Sequence, residues 1–506
     1  MSQRCRSAID SLAAPKQSGG VLIWPKESFD NLAARNRTAL AACKALLNGR
    51  TISSWRSSLS GPLRIMTGHQ PAFFHAGVWA KNIAAVACGG EAVFLVVDSD
   101  QSQGAALAWP EQENGFWKTR EALAAPGARS LSFEQLPEIS DATAIWNSIP
   151  ADLRRSTLVI DFEKAYANSP APDHVSRWIH AMIATGQSMG VGPIRYERLS
   201  KDFALARNDA AAAFVAEIIL NARRFAADYN AALSEFRKCR GIPGHEHPVP
   251  DLLIEQDRCE VPFWLLREGL PRQRMFIATE STSRITLYAG RDRFCEIDAA
   301  RLAKTPDEVL RDCPARIRPR ALGTMLYARL LASDLFIHGI GGAKYDQITD
   351  AIIRRYFRTE PPLYACVTAT LRLPLKHTGL DPAEETQARR RLRDIRFNPQ
   401  RFPDHVASAE VLVQREAAIA ESQRLRTETP RRRDLRRAVY DRIQSANAAA
   451  LRDPEALSKK MRDSFAEMEA RAASDKVADS REWFWCLHQR AALDKLIEEV
   501  RGQLKH

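Results

Sequence analysis

The sequence predicts an α/β protein with a parallel-sheet core followed by a mainly α-helical C-terminal segment. Three observations carry this expectation. Residues 61–104 (GPLRIMTGHQPAFFHAGVWAKNIAAVACGGEAVFLVVDSDQSQG) read as strand, helix, strand. Residues 335–373 repeat that plan as an apolar strand, a glycine-rich turn, a helix and a second strand. Residues 379–506 carry charged amphipathic spacing with little that reads as strand.

In the first stretch, Leu63–Met66 is short and apolar, as a buried strand should be, and Pro71 stops it. Thr67, Gly68, His69 and Gln70 fall at its carboxyl end. A helix can begin near His75, because Val78, Trp79, Ile83 and Val86 recur at helical spacing, and Gly89 and Gly90 end it. Ala92–Val97 reads as the next buried strand and runs into Asp98, Ser99 and Asp100. Ligands of open parallel sheets sit at the carboxyl ends of strands. The TGHQ and DSD clusters are therefore expected at one edge, on neighbouring strands, facing the 339–345 turn across a cleft. His75, Gly77 and Lys81 lie on the first two turns of the helix, where backbone donors and the helix dipole favour an anion. His75-Ala76-Gly77 resembles half of the H-x-G-H signature of nucleotidyltransferase-like folds, with Val78 where the second histidine would stand. The plainer alternative is a strand–turn–helix whose histidines cap and hydrogen-bond.

Taken in order, residues 1–60 form a lead-in with a strand at Val21–Trp24 and a helix over Glu27–Leu47. Residues 61–200 form the first half of the core, with a strand expected at Ser156–Asp161 and a helix at Val175–Gln187. Residues 201–242 are an Ala-rich helical connection. Residues 243–378 form the second half of the core. They open on the Pro-rich PGHEHPVPDL and continue into strand-like runs at Glu260–Leu266, Arg274–Ala278 and Ile285–Ala289. His245, His247 and Cys259 lack a fourth ligand at recognisable spacing, so no metal site is assigned. A helix over Ala321–Leu331 precedes the strand Leu335–His338. The turn Gly339–Asp346 then leads to a helix over Gln347–Tyr356 and a strand at Val367–Leu373. His338, Gly339, Gly341, Gly342, Lys344 and Tyr345 are candidate ligand contacts there, although the turn is neither G-x-G-x-x-G nor a P-loop. Residues 379–506 form the helical domain, with breaks at Pro403, Pro430 and Pro454 and a final helix at Ser480–Leu504. Its Trp483, Phe484 and Trp485 are expected to pack on the core.

The composition, 45% hydrophobic and 26% charged over 506 residues, is that of a globular protein, for which roughly two to four domains are expected. No run approaches the ~18 apolar residues of a membrane span, and the N-terminus lacks the apolar core of a secretory signal. The nine cysteines are scattered without a C-x-x-C, which suits a reducing cytoplasm. The net charge of +12 concentrates in Arg316–Arg320, Arg389–Arg396 and Arg424–Arg437. These runs carry no interleaved aromatics, so a solvated helical face is expected rather than a specific nucleic-acid partner.

The order of these features resembles the cysteine-adding enzyme family of the bacillithiol pathway. That family carries a T-G-Q-Q-type turn, a helix, and a strand ending in E-D-H-D. Here TGHQPAFF and DSDQ stand in those places. Its later glycine turn and following strand are matched loosely by FIHGIGGAKYDQ and PPLYACVTATLRL. The resemblance implies a Rossmann-like core of nucleotidyltransferase type, an inserted connecting region and a C-terminal coiled coil that could mediate a homodimer. It implies a ligase-like reaction joining cysteine to the amino group of a small anionic sugar derivative, a glucosaminyl-malate. His69, the DSDQ cluster and Gly342-Ala343-Lys344 depart from the family pattern at pocket positions, so the chain reads as a divergent member with its substrate open. Making an amide from a free carboxylate needs activation, most simply by ATP. His75 and Lys81 would then stabilise phosphate charge, His69 would act as acid or base, and Asp98 and Asp100 would bind an amine or a metal–nucleotide. The rival expectation is a non-catalytic Rossmann-like binding or scaffold protein.

Overall fold

A computed structural model describes residues 8–505 apart from 57–58, 60, 156, 204–207, 280–282, 315 and 429–431. Cys5 and the expected break at Pro430 lie outside the described residues. The chain divides into two compact units. Unit 1 comprises residues 1–109, 121–373 and 481–506, and unit 2 comprises residues 110–120 and 374–480.

Unit 1 contains a six-stranded mixed sheet built from β1 (Val21–Trp24), β2 (Arg64–His69), β3 (Glu91–Val96), β4 (Arg195–Arg198), β10 (Leu335–His338) and β11 (Tyr364–Ala369). Their order is β1-β11-β10-β2-β3-β4. All neighbours are parallel except β1, which runs antiparallel to β11 at the edge. The inner strands β3, β10 and β11 are short, mainly apolar and buried on both faces, as parallel strands covered by helices must be. From β2 the chain passes through α2 (Ala76–Ala87) to β3 on one side; from β10 it passes through α8 (Ile340–Ile352) to β11 on the other. The direction of winding therefore reverses between β2 and β10, which makes their carboxyl ends a topological switch point.

Helices cover the sheet by side-chain alternation. Met66, Val93, Leu95 and Phe336 face α5 (Asp209–Leu220), α6 (Ala222–Arg240) and α8 in one large core. Phe94 points the other way, against Phe74 and Trp178 of α4 (His174–Ser188). The same large core extends to a five-stranded antiparallel sheet, β5 (Cys259–Leu266), β6 (Gln273–Thr279), β7 (Arg284–Ala289), β8 (Asp292–Asp298) and β9 (Arg316–Pro319), in the order β8-β7-β6-β5-β9. Residues 243–378 thus contribute an antiparallel sheet as well as β10 and β11.

Three local expectations are corrected. Residues 159–167 form a helix, α3 (Val159–Ala167), rather than a strand, because Val159, Phe162 and Tyr166 bury one helical stripe. The Gly339–Asp346 segment is not a loop before a helix. Gly339 is the N-cap, and Ile340, Gly341 and Gly342 are the first turn of α8. The Arg316–Arg320 run is not a solvated helical face, since it forms strand β9 with Arg318 buried against Glu134 at 2.9 Å.

Unit 2 is helical apart from the tip of the hairpin Ala106–Glu113/Phe116–Leu123. Its helices are α9 (Pro382–Phe397), α10 (Ala409–Glu428), α11 (Arg433–Ala449) and α12 (Pro454–Ala478). Arg442 meets Glu421 and Arg415 meets Asn447, so α10 and α11 pair antiparallel. Arg389 reaches Glu469, while Leu392, Ile395, Leu457 and Met461 share a small apolar cluster between α9 and α12. The last segment leaves this unit. Trp483, Phe484 and Trp485 precede α13 (Arg490–Leu504) rather than lying on it, and all of them belong to unit 1. There Trp485 stacks on Trp79 of α2 at 4.3 Å, and Phe484 meets Phe73 and Phe162 edge-on.

Candidate functional site

A cavity of about 600 Å³ opens at the switch point of unit 1, between the carboxyl ends of β2, β3 and β10 and the β5–β9 edge of the antiparallel sheet. Gly68, His69, Gln70, His75, Gly77, Lys81 and Asp100 line it, as do His338, Gly339, Gly341, Gly342 and Tyr345. The TGHQ and DSD segments and the first turn of α8 thus meet in one cleft. Thr67, Asp98 and Lys344 do not line it. Thr67 is buried and donates to the carbonyl of Ile337 at 3.1 Å, tying β2 to β10. Asp98 is buried and accepts from Arg198 Nε and the Ser200 amide, both at 2.8 Å, so it anchors β4. Lys344 sits outside the cleft, where its charge acts on Cys366.

The turn after β2 is held from behind. His174, fully buried, donates through Nε2 to the carbonyl of Pro71 at 2.9 Å and accepts the hydroxyl of Tyr166 at Nδ1, also at 2.9 Å. Trp178 Nε1 donates to the carbonyl of Ala72 at 3.1 Å, and the amide of Trp485 donates to the carbonyl of Phe74 at 3.0 Å. With its backbone fixed by α4 and by the Trp485 segment, the turn presents His69, Gln70 and His75 rigidly.

Burial decides the charge of the two histidines on this turn. His69 donates Nδ1–H to the carbonyl of Gln70 at 3.1 Å, and burial lowers it to about 3. It is therefore a neutral imidazole at neutral pH, far from the near-neutral titration expected of it. His75 is the N-cap of α2: its Nδ1 accepts the amide of Gly77 at 3.0 Å, and burial lowers the ring to about 4. Its first-turn donor is thus occupied by its own cap, and His75 brings no positive charge to a phosphate. Gly77 serves packing rather than ligand approach. A Cβ there would stand 2.5 Å from the carbonyl oxygen of Ala369 and 2.8 Å from Thr368 Oγ1. Gly68 likewise abuts the carbonyl of Leu95, at 2.8 Å.

The charges around the cleft are mostly paired. Asp100 accepts from Gln70 Nε2 and meets Arg272 Nη1, each at 2.6 Å. Burial pushes Asp100 up, but those donors outweigh it and hold the carboxyl below its ordinary value. Arg320 pairs with the buried Glu260, and both Arg272 and Arg320 place their guanidinium carbons 4.6 Å from the ring centre of Trp264. Arg481 pairs with Glu482 at 3.2 Å. Lys81 is different. The residue is 4% exposed, and its ammonium donates to the carbonyl of Gly68 at 2.7 Å and has no carboxylate within ion-pair distance among the described residues. Burial lowers it from 10.5 to about 8, so it remains mostly charged at neutral pH.

Across the cleft, α8 begins without a side-chain cap at Gly339. Its first internal bond is Ala343 N–H to Gly339 O at 2.9 Å, so the amides of residues 340–342 have no intrahelical acceptor. A Cβ at Gly339 or Gly341 would meet nothing within 4 Å. The uncapped helix N-terminus at the switch point is therefore that of α8, not α2.

The wall formed by Trp264, Arg272 and Arg320 was missed by sequence reasoning. The only signal was Arg320, at the end of a basic run taken as solvated. The Pro-rich 243–251 segment supplies Val249 and Pro250 to the rim. There His245 Nδ1 pairs with Asp251 at 2.6 Å, and Arg237 donates to the carbonyls of His245, His247 and Val249. Among the described residues no group of three or more His, Cys, Asp or Glu is arranged to hold a metal ion, and no helix is long and apolar enough to cross a membrane. No family model matches the chain, and no curated protein matches it.

Proposed function

We propose that unit 1 is a Rossmann-like, amide-forming ligase of nucleotidyltransferase type, which binds the anionic part of its substrate or of ATP between Lys81 and the first turn of α8. The observation that carries this reading is the buried, carboxylate-free ammonium of Lys81 facing a cleft at a topological switch point. A buried lone charge is costly, and the cost is offset when an anion enters. An uncapped helix N-terminus on the same cleft supplies backbone donors of matching sign. In this reading Lys81 and the 340–342 amides stabilise charge on a phosphate or activated carboxylate. His69 and Gln70 orient the substrate as neutral donors or acceptors, and Arg272 holds Asp100 ready for an amine. Cysteine and a sugar-derived amine are the substrates that the family resemblance suggests. Unit 2 would then be the coiled-coil arm through which a homodimer forms, in the cytoplasm.

The test is calorimetric titration with ATP, inorganic phosphate, cysteine and glucosaminyl-malate, followed by an assay for amide product. Binding of ATP or phosphate that falls at least tenfold in Lys81→Met, together with product formation, supports the ligase. Binding without product under any pairing of these substrates returns the chain to the class of Rossmann-like binding proteins. Absence of binding sinks both readings.

A further inference from the structure

Deeper in the same cleft, His338 ends β10 and lines the cavity with a ring that is 4% exposed. Its Nε2 lies 2.9 Å from Asp346 Oδ2, in the second turn of α8. The same carboxylate oxygen takes Arg329 Nη1 at 2.7 Å. Burial pushes Asp346 up, but the guanidinium of Arg329 and the neighbouring imidazole overcome this and hold it far below the ordinary carboxylate range. An ionised carboxylate only accepts hydrogen bonds, so Nε2 must carry the proton of a neutral His338. That leaves Nδ1 with its lone pair free. Nδ1 has no hydrogen-bond partner among the described residues. It lies against the bare Cα of Gly342, where a Cβ would approach it to 2.8 Å. Gly342 has no positive φ to explain it, so its glycine character keeps the space beside Nδ1 clear. Arg329 itself sits on a π-helical turn, Ala328–Ala332, an irregularity often found at functional sites.

We infer that His338 Nδ1 is the proton acceptor for the substrate amine, with Asp346 as the positioning residue that fixes its tautomer and Gly342 as the opening that leaves it accessible. The inference rests on the amide-forming reading. A substrate ammonium gives one proton to Nδ1, and the freed amine pair attacks the activated carboxyl carbon. The new C–N bond replaces the C–O bond to phosphate, which leaves with its electron pair. The second amine proton is lost to solvent as the amide forms. The imidazolium made in the first step carries its Nε2–H on Asp346, whose charge stabilises it.

The test separates this assignment from the reaction itself. Long-range ¹H–¹⁵N spectra of histidine-labelled protein, with His338→Gln to assign the signal among the eleven histidines, report the tautomer directly. When neutral, His338 should be the Nε2–H tautomer in the wild type. It should switch to the Nδ1–H form in Asp346→Asn, whose amide can donate to Nε2. Gly342→Ala should shift the Nδ1 resonance and, where product formation is measurable, lower turnover by ~10²-fold or more. A wild-type ring that is Nδ1–H or doubly protonated at pH 7 overturns the assignment, and this needs no known substrate. So does full turnover in His338→Gln. If no amide product is ever found while the tautomers are as stated, the ligase reading fails and the base assignment falls with it. Failure of the tautomer with product intact removes only His338.

Discussion

Replacing Lys81 by Met should make the protein more stable while removing its anion affinity. Burial lowers Lys81 from 10.5 to about 8. At ~1.36 kcal/mol per pH unit, the fold disfavours the charged form by about 3 kcal/mol. The sign follows from where the protons sit. Below pH 8 the folded and unfolded states both hold the proton, so the folded state carries the whole penalty. Between about 8 and 10.5 the unfolded state keeps the proton and the folded state releases it, so stability attributable to this group rises with pH. Met has nearly the length of Lys without its charge. The substitution forfeits one hydrogen bond, to the carbonyl of Gly68, worth about 1 kcal/mol. The net expectation at pH 7 is a gain of about 2 kcal/mol, shrinking to nothing by about pH 10.

Urea unfolding of wild type and Lys81→Met at pH 7 and pH 10, followed by tryptophan fluorescence, measures this difference. The same proteins titrated with phosphate or ATP give the second half of the expectation. Affinity should fall at least tenfold in the variant, and in the wild type it should weaken above pH 8 as the ammonium is lost. A Lys81→Met protein that is less stable at pH 7 and binds anions as tightly as wild type would refute the reasoning, because Lys81 would then be a satisfied structural residue.

Three further outcomes are expected. Gly341→Leu meets open space, so it should leave urea stability within ~0.5 kcal/mol of wild type while blocking anion binding in the calorimeter; unchanged affinity would move the site away from α8. Gly77→Val collides with the backbone of β11 and should cost about 3 kcal/mol of stability, so loss of ligand in that variant reports unfolding; a fully stable Gly77→Val would contradict the packing role. His69, His75, His174 and His488 are lowered by burial to about 3, 4, 4 and 4. Each is neutral in the fold and titrates near 6.5 when unfolded, so stability present above pH 6.5 is lost as pH falls towards 4, by about 2 kcal/mol per imidazole at pH 5. Acid unfolding of unit 1 near pH 5, followed by tryptophan fluorescence, is the expected result, and stability unchanged from pH 7 to pH 4.5 would contradict it.

What the sequence made legible, and what it did not, follows from the range of the interactions involved. The β2–α2–β3 unit was readable because its strands are buried on both faces and its helix ends in paired glycines, which are local signals. Residues 156–161 were misread because a short apolar run fits a strand or a helix equally; only the continuation through Phe162 and Tyr166 sets the period. Gly341 and Gly342 suggested a loop, yet glycine is tolerated in a first helical turn, and at 342 its small size leaves room beside His338. The paired arginines were not legible at all. Arg318 finds Glu134 across 184 residues and Arg320 finds Glu260 across 60, and no window of sequence contains both partners. The importance of Lys81 was half legible: its place near a helix start could be read, whereas its lack of a carboxylate partner is a property of the whole fold.

Two helices begin at the switch point, and they are not equivalent. At α2 the first-turn amide of Gly77 is already satisfied by His75, the ring is neutral, and Gly77 is pressed against β11. At α8 the amides precede any acceptor, no side chain caps them, and the N-cap Gly339 and first-turn Gly341 face open space. What α2 gives the cleft is therefore a side chain, Lys81, reaching to the carbonyl of Gly68 near the carboxyl end of β2. What α8 gives is backbone. A cation fixed on one helix and unpaired donors on the other define a place for negative charge more narrowly than either does alone, since both must be served by one group lying between β2 and β10. The Asp346–His338 pair belongs to α8 and β10 as well, so in the proposed reaction an anion held there would lie beside the imidazole that Asp346 orients.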